Sequence, residues 1–313
     1  MSLSGLLRTL LGEQGDATLQ SAAADAKTGA VTALDLTAPA ALRPFVVGAI
    51  ADKTSGGGRP VLAVTATSRE ASDLVDALRC LLPPDTVAEY PSWETLPHER
   101  LSPRSDTVGR RLAVLRRLVH PDPADPAAGP LQVVVAPVRS VLQPQVAGLA
   151  DLQPVLVHVG DELSIDDLTE RLAAAAYTRV DLVERRGEFA VRGGIVDVFP
   201  PTEEHPLRLD FWGDTVEEIR PFAVADQRSL DQAVDRVWAP PCRELLVTTE
   251  VRERAAALAD KHPELADLFD KIAAGVAAEG MESLAPVLVD RMELLLDLLP
   301  AGTHVLVCDP ERV

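Results

Sequence analysis

The feature that most constrains the fold of this chain is residues 177–200, YTRVDLVERRGEFAVRGGIVDVFP, where apolar and polar residues alternate with a period of two. This alternation is typical of strands with one buried face. Arg186 and Gly187 stand between two alternating runs, so we predict a β-hairpin that turns there. Gly193 and Gly194 then interrupt the pattern, which predicts a bulge or a close approach of the backbone.

A second hairpin is predicted over residues 207–222, where apolar residues again alternate with charged ones and Gly213 followed by Asp214 supplies the turn. Before both hairpins, Ser164 begins an amphipathic run with two early carboxylates, which is typical of a capped helix. One helix on an antiparallel sheet predicts a small α+β domain, to which we assign residues 151–228.

The chain on either side of this domain has a different pattern, in which short apolar runs alternate with helical ones. Residues 61–65, 131–136 and 304–308 are continuous apolar runs of the kind found in strands buried on both faces. Strands that alternate with helices indicate an open, mainly parallel sheet. We therefore predict an α/β fold in which residues 1–150 and 229–313 share one parallel sheet, interrupted by the small inserted α+β domain.

Two segments carry a resemblance to a known family. Residues 177–201, continued by residues 208–230, and residues 90–118, YPSWETLPHERLSPRSDTVGRRLAVLRRL, are similar to the UvrB-homology module of bacterial transcription-repair coupling factors, the Mfd family. In that family the module begins a much longer polypeptide, so the chain is expected to be an N-terminal fragment. The resemblance implies that residues 1–150 and 229–313 are two parts of a degenerate RecA-like domain without a working phosphate loop.

The resemblance also implies a function. The module would be a non-catalytic protein-interaction part of a transcription-coupled DNA repair factor, recruiting the excision-repair protein UvrA to stalled RNA polymerase. RNA polymerase, DNA and ATP would bind regions absent from this chain, since the full-length family member is an ATP-dependent DNA translocase. The residues that match the family's UvrA-binding motif are Arg179, Arg192 and Phe199. Ala190 departs from the pattern, because UvrB has a basic residue there, so a less basic interface is expected.

The residues themselves leave two interpretations open. The predicted hairpin leaves Arg179 and Arg192 off its apolar face, where guanidinium groups could form bidentate pairs with carboxylates of a partner, with Phe199 as an apolar contact. Alternatively, the arginines form cross-strand pairs and the phenylalanine belongs to the core. The candidate carboxylates for such pairs are Asp181, Glu184 and Glu188.

A phosphate-binding loop is suggested and then excluded by residues 51–60, ADKTSGGGRP. Such a loop needs glycine before Lys-Thr so that backbone N–H groups converge on the phosphates, with a strand before it and a helix after. Here Asp52 takes that position, Val47 takes the other glycine position, and a strand follows. We expect no ATP binding and no cofactor. Asp309 ends an apolar strand as a magnesium-binding acid would, but without a phosphate loop we interpret it as a loop or helix-cap residue.

The charge balance argues against bulk nucleic-acid binding. The chain has 48 acidic and 30 basic residues and a net charge of −18, which repels a phosphate backbone. Six arginines within residues 100–117 are the local exception, read either as a solvated helix face or as a weak DNA or protein contact. A nuclease or hydrolase site using Glu99, Asp106 and Asp309 is the other alternative, although these acids do not cluster in sequence.

The remaining signals are negative. There is no run of about eighteen apolar residues that could span a bilayer, and the N-terminus turns polar too soon for a signal peptide, so we expect a cytoplasmic protein and no membrane partner. Cys80, Cys242 and Cys308 are solitary, without metal-ligand spacing, and we interpret them as buried free thiols. His98 beside Glu99 lacks a nucleophile or metal set, which favours a structural or solvent-facing histidine.

Overall fold

The computed structural model describes residues 3–29, 31–96, 99–125 and 128–313, so His98 lies outside the described residues. The α-helices are α1 Ser4–Leu11, α2 Ala17–Thr28, α3 Arg43–Ala51, α4 Ser68–Leu81, α5 Ser105–Val119, α6 Val138–Leu142, α7 Ile165–Ala174, α8 Thr249–Ala259, α9 Ala266–Ala273 and α10 Ala285–Leu288. The strands are β1 Val61–Thr65, β2 Val87–Glu89, β3 Val133–Pro137, β4 Gln145–Val146, β5 Val155–His158, β6 Thr178–Arg179, β7 Glu188–Arg192, β8 Ile195–Val198, β9 Leu207–Trp212, β10 Thr215–Pro221, β11 Arg236–Ala239, β12 Met292–Glu293 and β13 His304–Val307.

Backbone proximity divides the chain into two compact units. The first unit contains Met1–Ser92, Ala113–Pro144 and Leu294–Val313, and the second contains Trp93–Leu112 and Gln145–Glu293. The division of the chain at residues 150 and 228 that we inferred from the sequence stays a prediction.

A parallel sheet with strand order β13-β1-β3-β2 forms the centre of the first unit. Every residue of β1 and β3 is buried, as their continuous apolar runs predict. Helix α4 packs on this sheet through Leu74, Val75 and Leu78, which recur at helical spacing. Its N-cap is Thr67, whose hydroxyl accepts a hydrogen bond from the backbone N–H of Glu70. The predicted mixed α/β fold with a parallel sheet is confirmed.

An additional sheet, of five strands in the order β10-β9-β8-β7-β6, belongs to the second unit. Helix α7 packs on one of its faces through Leu168 and Leu172. Its N-cap is Ser164, which accepts a hydrogen bond from the N–H of Asp167 at 3.0 Å, so the predicted start of this helix is confirmed.

The first predicted hairpin is wrong. Strand β6 runs parallel to β7, with Arg179 beside Phe189, and the antiparallel partner of β7 is β8. Strands β7 and β8 therefore form the hairpin, and its turn is the pair Gly193-Gly194. Gly193 has φ +61°, a conformation that favours glycine.

A folded loop explains the error in the first hairpin. Residues 180–187 return the chain to the start of β7, and the Glu188 carboxylate closes them by accepting hydrogen bonds from the N–H groups of Glu184 and Arg185 at 2.9 and 2.8 Å. Gly187, with φ +86°, belongs to this loop. The chain therefore does turn at Gly187 as predicted, but the strands before and after the loop pair in parallel rather than antiparallel. Period-two alternation does not distinguish parallel from antiparallel neighbours.

The second hairpin is confirmed. Strands β9 and β10 pair antiparallel around Gly213, which has φ +62°, and a bulge interrupts the register between Val216 and Glu218. Strand β11 pairs separately with β5. Residues 245–247 precede helix α8 without regular structure.

Other predictions concern single residues and the membrane. Cys242 and Cys308 are buried, Cys80 is half-buried, and all three thiols are free. Burial raises the pKa of the Cys242 thiol to about 12. Within the described ranges, the longest apolar helical stretch falls short of what crossing a bilayer requires.

A fully buried ion pair is present in the second unit. The Arg111 guanidinium contacts the Glu244 carboxylate, which also accepts a hydrogen bond from Trp93 Nε1 at 3.1 Å, and a second nitrogen of Arg111 donates to Gln145 at 3.2 Å. The interpretation of this arginine as part of a solvated helix face is therefore wrong. A buried charge persists only with such partners.

We expect Arg111→Ala to lower the free energy of unfolding by about 3–5 kcal/mol, because Glu244 would stay buried without its cation. Urea unfolding monitored by circular dichroism measures the change. Arg110→Ala is the matched control, since the neighbouring Arg110 is exposed and its removal should leave the midpoint nearly unchanged. Equal midpoints for the two variants would contradict this assignment.

Candidate protein-interaction site

The five-stranded sheet has a second face, opposite helix α7. Phe189, Val196 and Leu209 face α7 with the core, and the residues that alternate with them form the second face. Its members on the three middle strands are Glu188, Ala190, Arg192, Ile195, Asp197, Arg208, Asp210 and Trp212.

A buried carboxylate organises this second face. The Asp197 side chain is 1% exposed and accepts two hydrogen bonds from Arg208, from Nε at 2.7 Å and from Nη2 at 2.9 Å. The hydrogen bond to Asp197 raises the pKa of Arg208, whose guanidinium carbon lies 4.7 Å from the ring centroid of Phe222. Asp197 thus holds Arg208 in a bidentate pair, the strongest common geometry for such groups.

Asp197 also binds Arg192. The Arg192 guanidinium contacts the same carboxylate, while 45% of the arginine side chain stays exposed. The partner is therefore none of the three carboxylates suggested by the sequence, and Glu188 instead accepts hydrogen bonds from the backbone of its own loop. Sequence reasoning missed Asp197, although an acidic residue inside the apolar run IVDVF is a signal that a cationic partner is needed.

Arg179 lies in a different environment. It is exposed on the edge strand β6, and the structure gives it no ion pair or side-chain hydrogen bond with any described residue. Its register partner is Phe189, so by alternation it lies on the side of helix α7, whereas Arg192 lies on the second face. The expectation that both arginines lie off one apolar face is wrong, because it depended on the misassigned hairpin.

Phe199 is 5% exposed. It packs with Val183, Ala190 and Phe222 in a small cluster, and the guanidinium carbon of Arg186 lies 5.0 Å from its ring centroid. The ring therefore packs against the loop of residues 180–187 through Val183 and Arg186.

The glycine-rich segment after α3 is folded against the end of that helix. The N–H of Ser55 donates to the Asp52 carboxylate at 2.7 Å, that of Gly57 to the carbonyl of Ala49 at 2.8 Å, and that of Gly58 to the carbonyl of Asp52 at 3.1 Å. The N–H groups of this segment are therefore used in capping α3.

Asp309 lies among basic side chains. It forms ion pairs with Arg43, the first residue of α3, and with Arg312 at 3.8 Å, and Arg312 also contacts Glu70 at 2.8 Å. Asp309 adopts φ +52° in the turn after β13, which agrees with its interpretation as a loop residue.

The arginines of residues 100–117 serve separate purposes. Arg104 pairs with Asp106 at 3.1 Å, and Arg117 donates to the backbone carbonyls of Gly129 and Asp85. With Arg111 buried against Glu244, these three arginines are held by separate partners within the fold.

Comparison with known proteins gives a consistent picture. The UvrB interaction domain family matches residues 155–244, a region that contains helix α7 and the entire five-stranded sheet. The transcription-repair-coupling factor of Mycobacterium tuberculosis is 53% identical to this chain over 290 residues, covering 90% of the chain and 23% of the relative. Those of Bacillus subtilis and Escherichia coli are 30% and 28% identical over 256 and 267 residues, covering 81% and 82% of the chain. The chain spans less than a quarter of the length of these relatives, 19% and 22% for the last two.

We expect Asp197→Ala to destabilise the protein far more than Arg192→Ala does. Removing the carboxylate leaves Arg208 mostly buried without its partner, a loss of about 3–5 kcal/mol. Removing the half-exposed Arg192 leaves the Arg208 pair intact and should cost about 1 kcal/mol or less. Urea midpoints of the two variants test this, with Arg220→Ala as a control because its ion pair with Glu218 is exposed. Similar midpoints for all three variants would show that Asp197 does not organise the sheet.

Proposed function

The chain belongs to the transcription-repair-coupling factor family, as the N-terminal module that carries the UvrB interaction domain, and from this premise we propose that it recruits UvrA to stalled RNA polymerase. The match over residues 155–244 supports a UvrA-interacting role in transcription-coupled repair. The observation that carries the proposal is the half-exposed Arg192 guanidinium, held in place by a buried carboxylate within that matched region.

Arg192 is well suited to bind an acidic group of a partner. A guanidinium has five N–H donors in a rigid fork, and the contact with Asp197 leaves donors available on the exposed side. Because Asp197 already fixes the side chain, less rotamer entropy is lost when the partner binds. In this proposal a carboxylate of UvrA binds the exposed side of the Arg192 guanidinium, whose other side pairs with the buried Asp197.

Arg179 and Phe199 have different parts in the proposal. Arg179 projects from the α7 side of the edge strand, so UvrA would reach it around that edge rather than across the second face. Phe199 would not contact UvrA directly, because its buried ring packs against the loop that joins β6 and β7. We expect Phe199 to affect binding through the position of this loop.

We further propose that residues 1–150 and 229–313 form a degenerate RecA-like domain that does not bind nucleotide, with residues 151–228 as its insert. The N–H groups of residues 55–58, used to cap α3, and the basic partners of Asp309 support this proposal. ATP, DNA and RNA polymerase would then be bound by other regions of the longer polypeptide.

An independent nucleic-acid-binding role is less favoured, because Arg111 and Arg117 are used inside the fold.

We expect Arg192→Ala to weaken UvrA binding by more than about tenfold, because loss of one member of a desolvated charged pair costs about 2–5 kcal/mol. Biolayer interferometry with immobilised chain and purified UvrA measures the affinity. Arg192→Lys should restore the charge but little of the affinity, since an ammonium group lacks the planar fork.

Arg69→Ala is the matched control for this binding experiment, because Arg69 is an almost fully exposed arginine of α4 in the first unit. Arg179→Ala, measured in parallel, tests the edge contact. The assignment of the arginines is wrong if both Arg192→Ala and Arg179→Ala bind UvrA as tightly as the parent. Unfolding of these variants would instead identify the arginines as structural.

We expect no saturable binding of ATP with magnesium at micromolar concentration, because the N–H groups of the loop after α3 donate to the Asp52 carboxylate and to carbonyl oxygens at the end of α3. Equilibrium dialysis with labelled ATP measures this, with a phosphate-loop ATPase as the positive control. A saturable isotherm with one site per chain would contradict the proposal that the RecA-like domain does not bind nucleotide.

A further inference from the structure

An exposed tryptophan lies on the same face as Arg192. Trp212, the last residue of β9, is 76% exposed, a larger fraction than for any other exposed large hydrophobic side chain among the described residues. Phe211 before it is half-buried with the core, so alternation directs the indole to the second face. Tryptophan is rarely left in water without a partner, because its side chain combines a large apolar area with one polar N–H.

The backbone around Trp212 is firmly held. Trp212 pairs with Thr215 across the tight turn at Gly213, and the N–H of Phe211 donates to the carbonyl of Gly194 at 2.8 Å. The N–H of Leu163 donates to the carbonyl of Asp214, also at 2.8 Å. The indole therefore projects from an ordered hairpin, and little conformational entropy opposes its insertion into a partner.

Trp212 and Arg192 are close enough to contact one partner. Arg192 pairs with Ile195, Ile195 pairs with Asp210, and Trp212 is two residues beyond Asp210 on the same face. With the usual strand spacing and rise, the Cα atoms of Trp212 and Arg192 are about 12 Å apart. A standard interface buries about 800 Å² on each partner, which is wide enough to include both.

The surroundings of Trp212 favour a protein partner over nucleic acid. Asp210 and Asp214 flank it along the chain, and Glu218 pairs with Asp210 on the next strand. Carboxylates around an aromatic ring repel the phosphates of a strand whose bases would stack on it. A rigid aromatic side chain beside an ordered arginine is instead the combination enriched at protein interface hot spots.

We propose that Trp212 is the apolar anchor of the UvrA-binding surface on the second face, inserting into an apolar recess of UvrA beside the acidic group that meets Arg192. The inference rests on the proposed function, in which UvrA is the partner of this sheet. It gives to Trp212 the role that the sequence suggested for Phe199, whose ring is buried.

Binding of purified UvrA to Trp212→Ala and Trp212→Phe tests the proposal. Trp212→Ala should weaken binding at least about tenfold, as loss of a hot-spot aromatic does, whereas Trp212→Phe should retain most of the affinity because it keeps an aromatic ring. Leu142→Ala is the matched control, since Leu142 is 64% exposed in the first unit. Thermal midpoints of all variants should stay near that of the parent, because exposed side chains contribute little to folding.

A direct readout uses the chain labelled with 5-fluorotryptophan. Its three tryptophans are Trp93, Trp212 and Trp238, and Trp212→Phe assigns the fluorine resonance of Trp212. Addition of unlabelled UvrA should shift that resonance and protect it from solvent, while the buried Trp93 should be unaffected.

The outcomes separate the two proposals. If the parent binds UvrA and Trp212→Ala binds equally well, the role of Trp212 is overturned while the proposed function stands. If the parent does not bind UvrA, both fail. If Trp212→Ala leaves UvrA binding intact but abolishes self-association in sedimentation or binding to single-stranded DNA, the occupant is a second copy or a nucleic acid, and the inference is equally overturned.

Discussion

The buried carboxylate of Asp197 is the interaction on which the second face of the five-stranded sheet depends. An unpaired carboxylate at this depth would cost several kcal/mol, so the fold is compatible with Asp197 only if cations reach it from neighbouring strands. Arg208 of β9, whose guanidinium lies against the ring of Phe222, forms an ion pair with the Asp197 carboxylate, and Arg192 of β7 forms another. Arg192 thereby acquires a fixed position while nearly half of its side chain stays in solvent, which is the combination that a recognition residue needs.

The extent to which the sequence predicts this fold can be judged from its glycines. Gly213 was correctly interpreted as a hairpin turn, because the alternation continues on both sides of it with antiparallel pairing. Gly187 and Gly193 both adopt left-handed conformations, yet only Gly193 forms the hairpin turn, and Gly187 closes a loop. The two glycines differ because the Glu188 carboxylate accepts hydrogen bonds from two backbone N–H groups of the loop that contains Gly187. The alternation of apolar and polar residues does not predict this contact.

The sequence predicts candidate residues for the site but not how they are arranged. The family resemblance indicates Arg192 within VRGG as a candidate. Its pairing with Asp197 follows from the register of β7 and β8, which pairs Arg192 with Ile195 and places Asp197 two residues further along β8 on the same face. The burial of Arg111 has the same origin, because its partner Glu244 is 133 residues away in sequence. Contacts between distant segments decide which arginines of a chain are available for binding, and neither composition nor local pattern contains that information.

The charge of the chain limits how this surface can bind. With a net charge of −18, the chain repels an acidic partner at long range, and at physiological salt this field decays over about 8 Å. Asp197 further neutralises part of the charge of Arg192 and Arg208. In the proposed complex with UvrA, selectivity would therefore arise after contact, from the bidentate geometry of a fixed guanidinium and from the fit of an aromatic side chain. Interactions of this kind act mainly on the rate of dissociation rather than on the rate of encounter, so the complex should be slow to dissociate without being fast to form.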